Sequence, residues 1–199
     1  MMNKRTVVVL TGGLGGGKST LIDDLRQDPA WTGRFVALPE AAQVARFANI
    51  SPTEKLFQRA IVYLQIGLED GLDRTLGPAD SRFIICHRGS LDPLAFWKQR
   101  GWPENEFFEF TGTMLEDHYR RYAAVIHLVT SADGVPSAYT RWPQVHRPEE
   151  AEDAIRLDKW LQQAWSNHPK YFRIDNEGRD WLSKSHLACK ILAELFRVV

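Results

Sequence analysis

Three observations predict an α/β fold, a three-layer arrangement in which a parallel five-stranded sheet is covered by helices on both faces. Five short apolar runs recur along the chain, segments of helical periodicity fill the intervals, and a glycine-rich turn joins the first run to the first helix. Strands alternating with helices pair in parallel and bury both sheet faces.

The first run, Thr6-Val7-Val8-Val9-Leu10, is short and β-branched, as a buried strand requires. After the glycine turn, residues 19–26 place Leu21, Ile22 and Leu25 at helical spacing. Residues 34–39 read as a second strand ending at Pro39-Glu40, and 40–47 as a short helix. Ser51-Pro52-Thr53-Glu54 has the form of an N-cap followed by proline at the first helical position. The long helix it opens runs through Leu56, Ala60, Leu64, Leu68 and Leu72 and stops near Gly77-Pro78. Residues 82–86 form a third strand leading into His87-Arg88-Gly89. Helices over 92–100 and 104–122 follow, separated by Gly101-Trp102-Pro103. A fourth strand spans 123–129, an irregular basic stretch 141–148, and a helix 149–167. Tyr171-Phe172-Arg173-Ile174 is the fifth strand, and 180–196 the closing helix.

The 199 residues suit one domain over the whole chain, with a helical lid at roughly 131–168. Lys plus Arg and Asp plus Glu number 25 each, a balance that argues against a broad nucleic-acid surface but not against a local basic cleft. Cys86 and Cys189 have no metal-ligand spacing, so a reducing intracellular compartment is expected; Cys86 closes an apolar run and reads as a core thiol. The longest apolar stretch near the N-terminus is five residues, too short for a signal core or a membrane span, so a cytoplasmic location and no membrane partner are expected. Seven tryptophans are many for this length. Packing explains them first, with base stacking as the functional alternative for one or two.

Gly12-Gly13-Leu14-Gly15-Gly16-Gly17-Lys18-Ser19 matches the phosphate-loop pattern G-x-x-x-x-G-K-[ST] without a mismatch, between a strand and a helix as the motif needs. Such a loop turns its N–H groups inward around anionic oxygens, and the helix dipole behind it favours negative charge. Lys18 is then the cation that reaches the β- and γ-phosphates, and Ser19 Oγ the ligand of Mg²⁺. With Thr20 behind them, these residues predict binding of a nucleoside triphosphate.

In open parallel sheets ligands sit beyond the carboxyl ends of the strands. Glu40, after the second strand, is placed to accept a proton from an acceptor hydroxyl or to orient it; alternatively it only begins a helix. Arg88, after the third, is placed to fork onto a phosphate, with a salt bridge to Asp92 as the structural alternative. Arg141, His146 and Arg147 lie where a lid would bring positive charge onto the transferring group, unless they form a plain basic loop. Asp175-Asn176-Glu177-Gly178 follows the fifth strand, and Asn176 is a candidate base contact that leaves adenine and guanine open. The polar members of Phe57-Gln58…Gln65…Glu69 are candidates for an acceptor pocket, against ordinary amphipathic packing.

The sequence lacks the N-K-x-D of GTPases and the L-S-G-G-Q of transporter ATPases, and is short for machines with a second helical domain. The glycine loop, Pro39-Glu40-Ala41-Ala42, Phe57-Gln58…Gln65 and His87-Arg88-Gly89-Ser90-Leu91-Asp92 resemble the NadR-like AAA domain family of P-loop proteins. Arg147-x-x-x-Glu-Ala through Leu157-Asp158, Trp165-x-x-His168-Pro169 and Ile174-Asp175-Asn176 extend the likeness over nearly the whole chain. The resemblance implies a P-loop NTPase fold of the nucleoside- and nucleotide-kinase kind, ATP or GTP with Mg²⁺, and phosphorylation of a nucleoside-like or other small hydroxyl compound.

One position departs from the pattern. His87 stands where related proteins commonly carry Asp, and an imidazole is a poor substitute for a carboxylate near Mg²⁺, which prefers hard oxygen ligands. Either Glu40 or Asp92 takes the acidic role, or Ser19 and the phosphates hold the ion; His87 itself serves as a general base or as a hydrogen-bond partner within the site. The expected activity is a kinase in which Lys18, Glu40, Arg88, Arg141 and Arg147 act on the transfer. The alternative is a nucleotide-dependent regulatory protein with no small-molecule acceptor.

Overall fold

The computed structural model describes residues 5–139 and 150–197. Five parallel strands, β1 (Val7–Thr11), β2 (Phe35–Leu38), β3 (Phe83–His87), β4 (Ala124–Leu128) and β5 (Tyr171–Ile174), lie in the order β2-β3-β1-β4-β5. All five predicted strands form, with no end shifted by more than one residue.

Alternation along the strands builds the layers. Val7 and Val9 of β1 face one core with Ile84, Cys86 and Val125; Val8 and Leu10 face the other with Ile85, Ile126 and Leu128. Helices α1 (Lys18–Gln27) and α9 (Trp181–Phe196) cover the second face through Leu21, Leu25, Ala188 and Leu192. The first face is covered by α3 (Lys55–Leu76), α4 (Asp92–Gln99), α5 (Glu104–Thr111), α6 (Leu115–Arg121) and α8 (Ala151–Trp165), whose fully buried aromatics include Trp97, Phe107 and Trp165. Two short helices, α2 (Ala41–Phe47) and α7 (Pro136–Tyr139), follow β2 and β4. Among the described residues no helix is long and apolar enough to cross a membrane.

Two helix boundaries differ from expectation. Ser51-Pro52-Thr53-Glu54 closes a turn, with Glu54 N–H donating to Ser51 O at 3.0 Å, and α3 starts only at Lys55. The proline fixes that turn and does not occupy the first helical position. The helix expected over 104–122 is two helices. Gly112 leaves α5 at φ 64°, a left-handed helix end that suits glycine, and Met114 starts α6 with its N–H on Asp117 Oδ2 at 3.1 Å.

Candidate functional site

The carboxyl ends of all five strands open on one cleft of 680 Å³, within the range of small-molecule sites. Its floor is the loop between β1 and α1. Gly12, Gly15 and Gly17 have φ of 121°, 73° and 93°, a region that glycine enters without penalty. Space enforces glycine as well as torsion: a Cβ on Gly12 would lie 2.0 Å from Leu128 O and one on Gly16 2.4 Å from the same oxygen. Leu14 is buried in a small cluster with Ala154 and Leu157, and its carbonyl accepts the Thr130 hydroxyl.

Lys18 opens α1 and folds back over the loop, its Nζ donating to Gly12 O and Gly13 O at 2.8 Å each. Burial, then the charge of Arg88, lower its pKa well below the ordinary lysine value. An anion in the loop would favour the charged form and so oppose both effects. Ser19 follows with its side chain exposed to the cleft and Thr20 beside it.

On the β2–β3 side, Glu40 occupies the N-cap position of α2 without capping it. Its Oε1 accepts Arg88 Nε at 3.0 Å instead. Burial pushes the Glu40 carboxyl up, but the charges of Arg88 and Lys18 outweigh it and hold the pKa at about 2. Arg88 is buried at φ 75°, a left-handed conformation that costs a non-glycine residue about 1 kcal/mol or more. Its guanidinium holds that position through Glu40, Gly12 O at 3.2 Å and Asp92 Oδ2 at 3.2 Å. The Asp92 salt bridge, the structural alternative for this residue, is therefore present.

Asp92 is a buried hub. It accepts Thr11 Oγ1 at 3.0 and 2.9 Å and Trp165 Nε1 at 2.8 Å as well as Arg88. With both oxygens engaged and the residue 1 % exposed, Asp92 is not available as the acidic group near Mg²⁺. His87 Nε2 lies 3.0 Å from Ser19 Oγ, and its Nδ1 faces Glu40 Oε2 at 3.8 Å. Burial, then Lys18, lower its pKa to about 3, so the imidazole is neutral at physiological pH. The arrangement suits one tautomer, in which Nδ1–H faces the carboxylate and Nε2 accepts the Ser19 O–H. Ser19 Oγ then keeps its lone pairs for a cation, and a hard hydroxyl beside an ionised carboxylate suits Mg²⁺.

On the β4–β5 side, Asn176 lines the cleft, but its amide is engaged. Nδ2 donates to Thr130 O and Asp133 O at 2.7 Å each, and Oδ1 accepts Lys184 Nζ at 2.9 Å. Arg141 and Arg147, with His146, lie outside the described residues. Cys86 is buried in the core, where burial, then Glu69, push its thiol pKa well up. Gln65 Nε2 and the Tyr122 hydroxyl both donate to Glu69 Oε1, at 2.8 and 2.7 Å, and Arg121 Nε donates to Glu69 Oε2 at 2.7 Å.

Asp158 of α8 stands in the sequence only as part of the family resemblance, with no role assigned. Its Oδ1 accepts Gly13 N at 2.5 Å, Thr130 N at 3.2 Å and His127 Nε2 at 3.0 Å, and its Oδ2 accepts Gln162 Nε2 at 2.8 Å. Burial opposes the charge, but the His127 bond leads the effects that bring its pKa to about 2. A carboxylate set among Ala154, Leu157 and Leu161 on one helix face was the available signal.

A family model described as AAA domain matches residues 7–180. A search of curated proteins finds no match. Two structures of deoxyadenosine kinase from M. mycoides are similar in fold. The one with bound dATP has a TM-score of 0.55 and 17% identity, covering 94% of this chain and 99% of that one. The one with the products dCMP and a flexible dCDP has a TM-score of 0.57 and 17% identity, covering 95% and 100%.

Proposed function

The chain belongs to the AAA domain family, and on that premise we propose that it is an ATP-dependent phosphotransferase acting on a hydroxyl of a nucleoside-like or other small metabolite. The observation that carries the reading is a juxtaposition across one cleft: Lys18 and Ser19 on the phosphate loop face Glu40, His87 and Arg88 at the ends of β2 and β3. The similarity in fold to a nucleoside kinase supports it.

In this reading the loop N–H groups of Gly15 and of Gly17 to Ser19 hold the polyphosphate, with the whole chain acting as one domain. Lys18 exchanges its two loop carbonyls for phosphate oxygens, and Arg88, already fixed, stabilises charge that develops on the transferring group. Ser19 Oγ would hold Mg²⁺, which would supply neutralisation of phosphate charge. Glu40, ionised and tethered by Arg88, accepts the hydrogen bond of the acceptor hydroxyl through Oε2. A carboxylate with a pKa of about 2 is a weak base. Its work is orientation, and a loose phosphoryl-transfer transition state needs little more before the proton departs.

Purified protein with labelled ATP, Mg²⁺ and a panel of nucleosides, amino sugars and vitamins tests the proposal. A phosphorylated product is expected; hydrolysis without any product overturns the acceptor. The bond from Asp158 on α8 to Gly13 N–H favours a second reading, a nucleotide-dependent regulatory protein, because it couples the loop to a helix outside the phosphate site. Slow hydrolysis with nucleotide-dependent protection of α8 in hydrogen exchange is its expected signature.

A further inference from the structure

We infer that the base of the bound nucleotide stacks on the indole of Trp181, and that this site holds the base by its face without reading its edge. The inference rests on the triphosphate assignment above and names the specificity of the same cleft.

The cleft is chemically divided along the sheet. Toward β2 and β3 it presents Glu40, His87 and Arg88, which are charged or polar groups. Its aromatic rings, Tyr139 and Trp181, lie on the β4–β5 side. A nucleotide whose anionic tail fills the loop has an apolar, aromatic end to place, and among the described residues this side offers a surface of that kind.

Trp181 is fixed where such a surface is useful. It is the first residue of α9, part-buried, and it lines the cleft. Its ring lies directly on Gly17: a Cβ there would fall 2.1 Å from one ring carbon and 2.6 Å from the next. The indole therefore touches the residue before Lys18, so a stacked base is continuous with a polyphosphate in the loop.

Among the described residues, four polar side chains on this side of the cleft already hold partners. Both hydrogens of Asn176 Nδ2 and one lone pair of its Oδ1 are engaged, which removes the paired donor and acceptor needed for a two-point contact with a purine. Lys184 holds Val129 O at 2.6 Å, Arg179 is paired with Asp175, and Asp180 caps α9 by accepting Ser183 N–H at 2.9 Å. Every base has a π-face, so stacking alone tolerates all of them.

Calorimetric titration of the full chain with ATP, GTP and inorganic tripolyphosphate, each with Mg²⁺, tests the inference on wild type, Trp181→Phe and Trp181→Ala. Tripolyphosphate is expected to bind all three proteins alike. ATP and GTP are expected to bind wild type within about tenfold of each other, and both to weaken by about tenfold or more in Trp181→Ala, with Trp181→Phe close to wild type. The indole emission lost between wild type and Trp181→Phe should be quenched by ATP and not by tripolyphosphate. Undiminished ATP binding by Trp181→Ala overturns the stacking site, and a larger preference between ATP and GTP overturns the edge-blind reading. Failure of tripolyphosphate to bind wild type strikes the loop assignment itself and is thereby distinguished from both.

Discussion

Asp158 Oδ1 accepts the backbone N–H of Gly13 at 2.5 Å, across 145 residues of sequence. One carboxylate thus joins the phosphate loop to α8, and through Thr130 N–H it also fixes the end of β4.

Asp158→Ala should destabilise the fold by about 3 kcal/mol, because Gly13 N–H, Thr130 N–H and His127 lose their common acceptor while buried. Asp158→Asn keeps an acceptor oxygen and should lose less. Urea denaturation of the two variants checks the order.

Lys18→Ala should weaken triphosphate binding by about tenfold to a hundredfold, the loss of one charge-assisted contact of roughly 1.5–3 kcal/mol. Calorimetric titration with ATP measures it directly, and unchanged affinity removes Lys18 from the role.

Glu40→Gln should leave ATP affinity near wild type and lower transfer by about a hundredfold, because the neutral amide loses the charge that pairs with Arg88 and orients the acceptor hydroxyl. Single-turnover transfer, once an acceptor is known, separates the two effects. Full transfer by the variant clears Glu40.

Gly12→Ala places its Cβ 2.0 Å from a backbone oxygen at φ 121°, with no flexible neighbour to yield. Strain and overpacking together should cost about 3 kcal/mol or more. Thermal unfolding reports the loss.

His118 gives the fold an acid limit. Its Nδ1 meets Ser90 Oγ at 2.8 Å and its Nε2 meets Thr113 Oγ1 at 2.9 Å, and burial lowers its pKa to about 4. Between pH 6.5 and 4 the unfolded chain takes up a proton that the folded chain refuses, so stability falls with falling pH by up to about 3 kcal/mol from this group. His87, lowered to about 3, adds a loss of the same sign. Denaturation midpoints should drop through this window, and His118→Gln should flatten the fall without abolishing it.

The five strands and the phosphate loop were legible because local chemistry determines them. β-branched runs form the central strands, and the loop motif is continuous in sequence, with Gly12, Gly15 and Gly17 at positive φ. The expectation at Pro52 failed because a turn signal and a helix-cap signal use the same residues, and only the packing of α3 separates them. Gly112 was a visible break that the apolar periodicity of 104–122 concealed. Asp158, Trp181 and Lys184 were not legible as a set. Their roles depend on α8 and α9 being laid against loops distant in sequence, which no local pattern encodes.

Lys18 Nζ already has two oxygen partners in Gly12 and Gly13. Any incoming anion competes with them, so its affinity is a difference between two sets of contacts. In the reading proposed above, the ammonium gives up two neutral carbonyls for charged phosphate oxygens, and only the surplus of the charge-assisted contacts over those two bonds holds the ligand.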